Sequence, residues 1–357
     1  MTETVPNKTW VFREAPTELP SFGINTVIED RPLRLVPPPG GLVIKLLVAG
    51  LDPHQRDRMR GAGHVDYVPG YEPNEPITNF SVARVVSSDN DGFVEGDLIQ
   101  GSLPISEYGL IPKELIEARA MASPLIWKAT GSENLGFEHY VGPLGLAGMT
   151  AWNSFYGLVK PVKGETIWVN AASSSVGEVV VQLAKMEGMR VIASVSSDEK
   201  LDYVLTELGA DAGFNYRREP VSAALRRLAP DGLDVVFENV GGEHFQAAIE
   251  NMKWFGRIIS CGMASQYNLP SDKQYGVTNL SEIFRRRIHV QGFIFWDENI
   301  YTDNIESFRN QMPRMVAEGR IKSRYTSFQG IEQANKAFLS MFTGGSFGKT
   351  ILRVAEV

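Results

Sequence analysis

The chain has 357 residues, 43% of them hydrophobic, with 35 Lys and Arg against 42 Asp and Glu for a net charge of −7. This length suits about two domains of ~150 residues, and the acidic balance argues against a nucleic-acid or anionic-membrane partner, since either favours a basic face. A single cysteine, Cys261, excludes an internal disulfide and a multi-cysteine zinc centre.

The opening segment MTETVPNKTWVFREAP lacks the apolar stretch of a secretory signal, and the closing RVAEV carries no recognisable address. No run approaches the ~18 apolar residues of a membrane span. The expectation is a soluble, intracellular protein of the cytoplasm.

Proline and glycine punctuate the first part of the chain, at VPPPGG (36–41), VPGYEPNEP (68–76) and SLP (102–104). Between them lie short β-rich runs such as LVIKLLVAG (42–50) and SVARVV (81–86), which predict a β-rich domain with Greek-key-like turns. After PVKGETIW the character changes. Strands are predicted at 167–170, 190–195, 213–216, 234–240, 256–262 and 289–295, with helices near 176–187, 198–208, 220–229 and 243–254 between them. This alternation predicts right-handed βαβ crossovers and a doubly wound parallel sheet, an α/β fold. Helices at 302–318 and 331–342 follow, and the last strand, KTILRVAEV, can return to the first domain's sheet. The predicted domains are 1–143 plus 323–357 and 144–322.

The segment KGETIWVNAASSSVGEVVVQLAKME (163–187) carries the first chemistry. An apolar strand turns through AASSSVG (171–177), all small residues, into a helix whose apolar positions Val176, Val179, Val180, Leu183 and Ala184 recur at helical spacing. Such a turn lets an anion approach unpaired backbone N–H groups, as a pyrophosphate site requires. The three-glycine fingerprint is incomplete: Ser174 and Ser175 stand where glycine is usual, and only Gly177 remains. Taken alone, the segment reads equally well as an ordinary βα turn.

Further strand ends extend the argument. The second strand ends Ser194-Val195-Ser196-Ser197 with no acid to bind a ribose 2′-OH, which points away from an unphosphorylated dinucleotide. Asp198 and Glu199 suit the first turn of a helix capped by Ser197. Lys200 can reach a 2′-phosphate and Tyr216 can add a hydroxyl donor; the alternative is a solvated lysine and a strand-end tyrosine. Glu238 to Gly242 and Cys261-Gly262-Met263 fall where a cofactor would cross the fourth and fifth strands.

These residues resemble a known family. GMTAWNSFYGLVKPVKGETIWVNAASSSVG (148–177), VSSDEK (195–200), FNY (214–216), PDGLDVVFENVGG (230–242), FGRIISCGMASQYN (255–268), GVTNL (276–280), QGF (291–293) and GKT (348–350) are similar to the zinc-independent medium-chain dehydrogenase/reductases. Within them the match is to the leukotriene-dehydrogenase/prostaglandin-reductase group, which includes alkenal double-bond reductases. The resemblance implies a Rossmann domain with a β-rich GroES-like catalytic domain, and NADPH-dependent reduction of α,β-unsaturated carbonyls. It places Ser174, Ser175, Val176 and Gly177 on the pyrophosphate, Lys200 and Tyr216 on the 2′-phosphate, and Asn239 on the cofactor at a strand end. Cys261, Gly262, Met263 and the loop on to Tyr267 run along the nicotinamide half, and Phe293, Ile294 and Phe295 flank the carboxamide. Ser346 stands where the family has asparagine. Relatives commonly dimerise through the edge strand, here about Val290 to Phe295, so the resemblance implies a homodimer.

The zinc-binding branch needs a cysteine and a Gly-His-Glu-like element in its first domain. Here PGY (69–71) occupies that region and Gly63-His64 is a poor substitute, so no metal is expected.

Hydride delivery to the β-carbon of an enone leaves charge on the carbonyl oxygen, so an oxyanion donor is the residue to seek. Tyr267 is the candidate, with an ordinary packed loop tyrosine as the alternative. LDPHQRDRM (51–59) departs from the family's DPYMRxRM: His54 replaces a tyrosine that borders the substrate pocket. His54 can hydrogen-bond the carbonyl or supply the α-proton if its pKa stays near neutral; otherwise it is structural. Tyr67, Tyr71 and Tyr108 are further candidate substrate-wall residues, while Arg56 and Arg58 are expected to hold structure through carboxylates. The expected activity is an enal or enone reductase, assigned to a secondary-metabolite pathway. Its rivals are a quinone reductase, an allylic alcohol dehydrogenase, and a non-catalytic NADPH-binding protein.

Overall fold

The computed structural model describes residues 4–61, 63, 67–121, 123–129 and 135–355. The chain forms two compact units, Met1–Leu146 with Tyr325–Val357, and Ala147–Arg324. Among the described residues no helix is long and apolar enough to cross a membrane.

The first unit opens with the antiparallel pair β1 (Lys8–Phe12) and β2 (Thr26–Asp30). β3 (Leu42–Leu51) is buried along almost its whole length because strands pair on both its edges and both its faces are covered. A single helical turn, α1 (Gln55–Arg58), separates it from β4 (Thr78–Ser88), β5 (Leu98–Pro104), β6 (Tyr108–Ile111) and β7 (Ile126–Lys128).

The second unit follows the βαβ alternation. After α2 (Leu146–Ser154) come β8 (Thr166–Val169), α3 (Gly177–Met186), β9 (Arg190–Val195), α4 (Asp198–Thr206) and β10 (Ala212–Asn215). Next are α5 (Val221–Leu228), β11 (Leu233–Glu238), α6 (Gly242–Asn251), β12 (Met252–Ser260), α7 (Ser281–Arg286), β13 (His289–Gly292) and α8 (Glu298–Ala317). Among the described residues six strands form one parallel sheet in the order β10-β9-β8-β11-β12-β13. This is the doubly wound Rossmann order, and its strand direction of growth reverses between β8 and β11, where ligands bind in such sheets. Ile167, Trp168 and Val169 of the central strand are fully buried, and Trp168, Phe214, Val236 and Ile258 share one core.

Two boundaries differ from expectation. α6 stops at Asn251 rather than near 254, because β12 begins at Met252 and then bulges: Leu233 faces Met252, but Val235 faces Arg257. Phe255 takes a left-handed φ of 62° in that bulge. β13 ends at Gly292, not 295, since Phe293 and Phe295 turn into the core and the Ile294 amide donates to Asp297 Oδ2 at 2.9 Å.

The chain then rejoins the first unit through β14 (Tyr325–Gln329), α9 (Ala334–Ser340) and β15 (Lys349–Arg353). β15 lies parallel to β14 and antiparallel to β3, so the last strand completes the first sheet, as its sequence allowed. Among the described residues this sheet has seven strands, in the order β7-β5-β4-β3-β15-β14 with β6 also on β3.

Candidate functional site

The second unit gathers most of the expected residues at the carboxyl ends of its strands. The chain leaves β8 at Asn170, passes through 171–176 and enters α3 at Gly177. A Cβ on Gly177 would sit 2.4 Å from the Ala171 carbonyl oxygen and 2.9 Å from Ala172 Cα, so only glycine lets the loop close on the helix. The Ser174 hydroxyl accepts from the Gly177 amide at 3.2 Å, while Val176 at the N-cap supplies no capping side chain. The N-terminus of α3 therefore presents amides and small side chains at the switch point, a donor set that fits a pyrophosphate.

One strand over, the turn after β9 carries Ser196 and Ser197, and the Ser197 hydroxyl caps α4 by accepting from the Lys200 amide at 3.3 Å. Lys200 Nζ lies 3.5 Å from Ser196 Oγ. Burial first, then the nearby Arg217 charge, push this ammonium below the usual lysine value, against the opposing pull of Glu199. Tyr216 follows β10, its ring edge against His244 at 5.0 Å, and His244 in turn stacks on Trp168 at 5.9 Å. These cations and hydroxyls, with no acid ending β9, suit a phosphorylated ribose.

At the end of β11, Asn239 donates its amide to Asn170 Oδ1 at 2.7 Å and its side chain to the Asn170 carbonyl at 2.9 Å, tying the two strands beside the switch point. Buried Glu238 accepts the amides of Val240 and Gly241, each at 2.7 Å, which sets the Gly241-Gly242 turn at φ 74° and 57°. Burial raises the Glu238 carboxyl above its ordinary value. Beyond β12, burial and then the Glu238 charge push the Cys261 thiol up to about 12, so it stays protonated and unreactive. Tyr267 folds back over this loop: its hydroxyl oxygen accepts from the Met263 amide at 3.0 Å. A Cβ on Gly262 would come within 2.8 Å of that oxygen, so the glycine makes room for the phenol.

Phe293, Ile294 and Phe295 do not extend a strand. Phe293 packs edge-on against Phe237, and the Phe295 carbonyl accepts from Asn153 Nδ2 at 3.0 Å.

The remaining candidates belong to the first unit. His54 stands at the head of α1, partly buried. Burial lowers its pKa to about 4 against the opposing pull of the Asp52 charge, with Arg58 and Lys349 adding to the lowering. The expected near-neutral titration is therefore corrected: His54 is a neutral imidazole at pH 7, a hydrogen-bond donor or acceptor rather than a ready acid. Tyr71 is a core residue at 3% exposure, its ring beside Phe12 and its hydroxyl donating to the Thr78 carbonyl at 2.8 Å. Tyr108 is half-buried on β6, Tyr67 is exposed, and Ser346 is half-buried before β15. Arg56 donates to the carbonyls of Pro16 and Glu18, and Arg58 to those of Pro69 and Thr78, so both arginines hold backbone in place. His64 lies outside the described residues. Among the described residues, no group of three His, Cys, Asp or Glu side chains is placed to hold a metal.

Sequence reasoning missed Arg217, Asn170 and Glu178. Asn170 gives a signal only as a polar residue ending an apolar strand, and Arg217 only as one of two adjacent arginines after FNY.

The doubly wound sheet, with these strand-end residues at its switch point, defines a dinucleotide-binding oxidoreductase. Residues 175–312 match the family described as zinc-binding dehydrogenase, and residues 8–118 the N-terminal domain of oxidoreductase. The chain is 78% identical over 352 residues, 99% of each protein, to "Dehydrogenase FUB6" of Gibberella moniliformis. It is 37% identical to the tobacco (Nicotiana tabacum) "2-alkenal reductase (NADP(+)-dependent)" across the full length of both. The solved structure of CurA from Vibrio vulnificus in complex with NADPH superposes with a TM-score of 0.86 at 26% identity, over 98% of this chain and 100% of that one. The protein belongs to the medium-chain dehydrogenase/reductase family, in the group that includes the alkenal double-bond reductases.

Proposed function

We propose that this protein uses NADPH to reduce the C=C bond of an α,β-unsaturated aldehyde or ketone. One observation carries the reading: the loop after β12 offers a phenol donor, Tyr267, and neither a nucleophile nor a poised base. Cys261 is held as a thiol, and Glu238 spends one oxygen on two backbone amides. Conjugate reduction needs just such a site, because charge collects on the carbonyl oxygen while no covalent bond to the protein forms. The similarity to an NADP-dependent 2-alkenal reductase and to an NADPH-bound structure supports the cofactor and the acceptor class.

NADPH, when bound, would supply the hydride that the β-carbon receives. Ser174, Ser175, Val176 and Gly177 would hold its pyrophosphate at the α3 N-terminus, Lys200 and Tyr216 its ribose phosphate, and Asn239 would make the strand-end contact. Tyr267 donates its hydroxyl proton as a hydrogen bond to the carbonyl oxygen as the enolate forms. Its own acceptance from the Met263 amide orients the phenol and polarises that O–H.

The test follows NADPH oxidation with an alkenal, an aryl enone and a benzoquinone, and identifies each product. The expected result is saturated carbonyl from the first two, with Tyr267→Phe lowering kcat/KM on the order of 10²-fold. Turnover of the quinone alone, or an allylic alcohol as product, overturns the proposal. Tight NADPH binding without turnover of any acceptor does so as well.

A further inference from the structure

We propose that Arg217 determines cofactor specificity, its guanidinium acting with Lys200 to hold the phosphate monoester on the cofactor ribose. This rests on the NADPH reading above and names a second cation for it. β9 and β10 run parallel with Val195 opposite Asn215, so the chain leaves both strands at one corner of the sheet. From β9 it passes through Ser196 and Ser197 into α4, whose first turn carries Lys200. From β10 it makes a tight turn: the Tyr216 amide donates to the Val195 carbonyl at 3.1 Å, Arg217 to Asn215 Oδ1 at 3.1 Å, and Arg218 to the Asn215 carbonyl at 2.9 Å.

The corner holds two arginines in sequence, and the structure separates them. Arg218 pairs with Asp198, whose other oxygen accepts from Asn215 Nδ2 at 2.9 Å. Glu219 is taken by Arg227 at 2.6 Å. Two of the acids nearest the turn are thus neutralised, and Glu199 remains, exposed beside Lys200. Arg217 is exposed, and among the described residues its guanidinium makes no hydrogen bond or ion pair. Its charge is felt at Lys200, where it opposes the ammonium. Two neighbouring cations repel each other, and a phosphate monoester, near −2 at neutral pH, converts that repulsion into two attractions. A planar guanidinium can also grip two phosphate oxygens at once. A ribose with a free 2′-OH offers Arg217 no such partner, so the effect is confined to the phosphorylated cofactor.

The test titrates the full chain with 2′,5′-ADP and with ADP, for wild type, Arg217→Gln and Arg217→Lys, at several salt concentrations. Arg217→Gln is expected to weaken 2′,5′-ADP roughly tenfold, as the loss of one charge-assisted contact implies, and to leave ADP unchanged. Its 2′,5′-ADP affinity should depend less on salt, and Arg217→Lys should recover much of the loss. Unchanged 2′,5′-ADP binding in Arg217→Gln, while wild type prefers 2′,5′-ADP to ADP, overturns the role of Arg217 and leaves the NADPH reading standing. Equal weakening of both ligands also overturns it. A wild type that does not distinguish the two ligands overturns the NADPH reading and this inference together.

Discussion

Lys349 and Asp52, 297 positions apart in the chain, meet as an ion pair inside the first unit, their side chains 1% and 9% exposed. The second Asp52 oxygen accepts from Asn79 Nδ2 at 2.9 Å, and Asn79 also donates to the Gly50 carbonyl at 2.7 Å. Burial alone would raise the Asp52 carboxyl, but Lys349 and its other partners outweigh it and hold the group below the usual carboxylate value.

Removing one partner leaves the other charge without compensation. Lys349→Met should therefore cost roughly 3–5 kcal/mol of stability, while the double variant with Asp52→Leu should lose much less. Urea unfolding of the two variants checks this; equal losses would show that the pair's charges are not coupled.

His54 and Asp52 give stability an acid limb. The His54 imidazole, at about 4 when folded against 6.5 ordinarily, binds its proton first in the unfolded chain. The His54 contribution to stability is full above pH 6.5 and is lost as pH drops toward 4, with Asp52 adding a further loss below its ordinary 3.8. His54→Gln should flatten the slope between 6.5 and 4, read as Tm against pH, and leave the steeper loss below it. An unchanged slope would place the acid limb elsewhere.

Glu178 works in the opposite direction. It is 1% exposed in the first turn of α3, and burial outweighs its contacts with the Arg324 amide at 3.3 Å and the Tyr203 hydroxyl at 3.2 Å. Its pKa rises to about 8 from 4.5, so the folded state keeps a proton that the unfolded chain has released. Stability therefore declines as pH rises from 4.5 to 8. Glu178→Gln should remove that decline, gaining on wild type in Tm most at pH 8. A gain that does not vary with pH would refute the assignment.

Gly177→Ala tests the loop itself. With the Ala171 oxygen 2.4 Å from the new methyl, the backbone must shift, at a cost of about 1–3 kcal/mol. NADPH and NADH should both weaken, because the pyrophosphate is common to them. This separates the variant from Lys200→Ala, which should weaken NADPH far more than NADH.

The doubly wound sheet was legible because Trp168, Phe214 and Phe237 sit in short apolar strands separated by helical periodicity. The departures have local causes. A four-residue bulge at 253–256 shortens α6, and Phe293 and Phe295 imitate a strand while serving a core. The phosphate-binding residues were readable as types at strand ends. What could not be read was pairing: FNYRRE shows two arginines, and only the structure shows that Asp198 occupies Arg218 and not Arg217. The His54 titration was equally hidden, since it is set first by burial, which no local pattern around residue 54 announces.

The route of the chain also sets a timetable for synthesis. The second unit is one uninterrupted stretch, whereas the first needs β14, α9 and β15 from the far end of the sequence. A chain emerging from the ribosome can thus complete its nucleotide-binding half while the first sheet still lacks β14 and β15. During that interval Asp52 waits without its lysine, and β3 exposes an unpaired edge that nascent-chain chaperones are suited to cover.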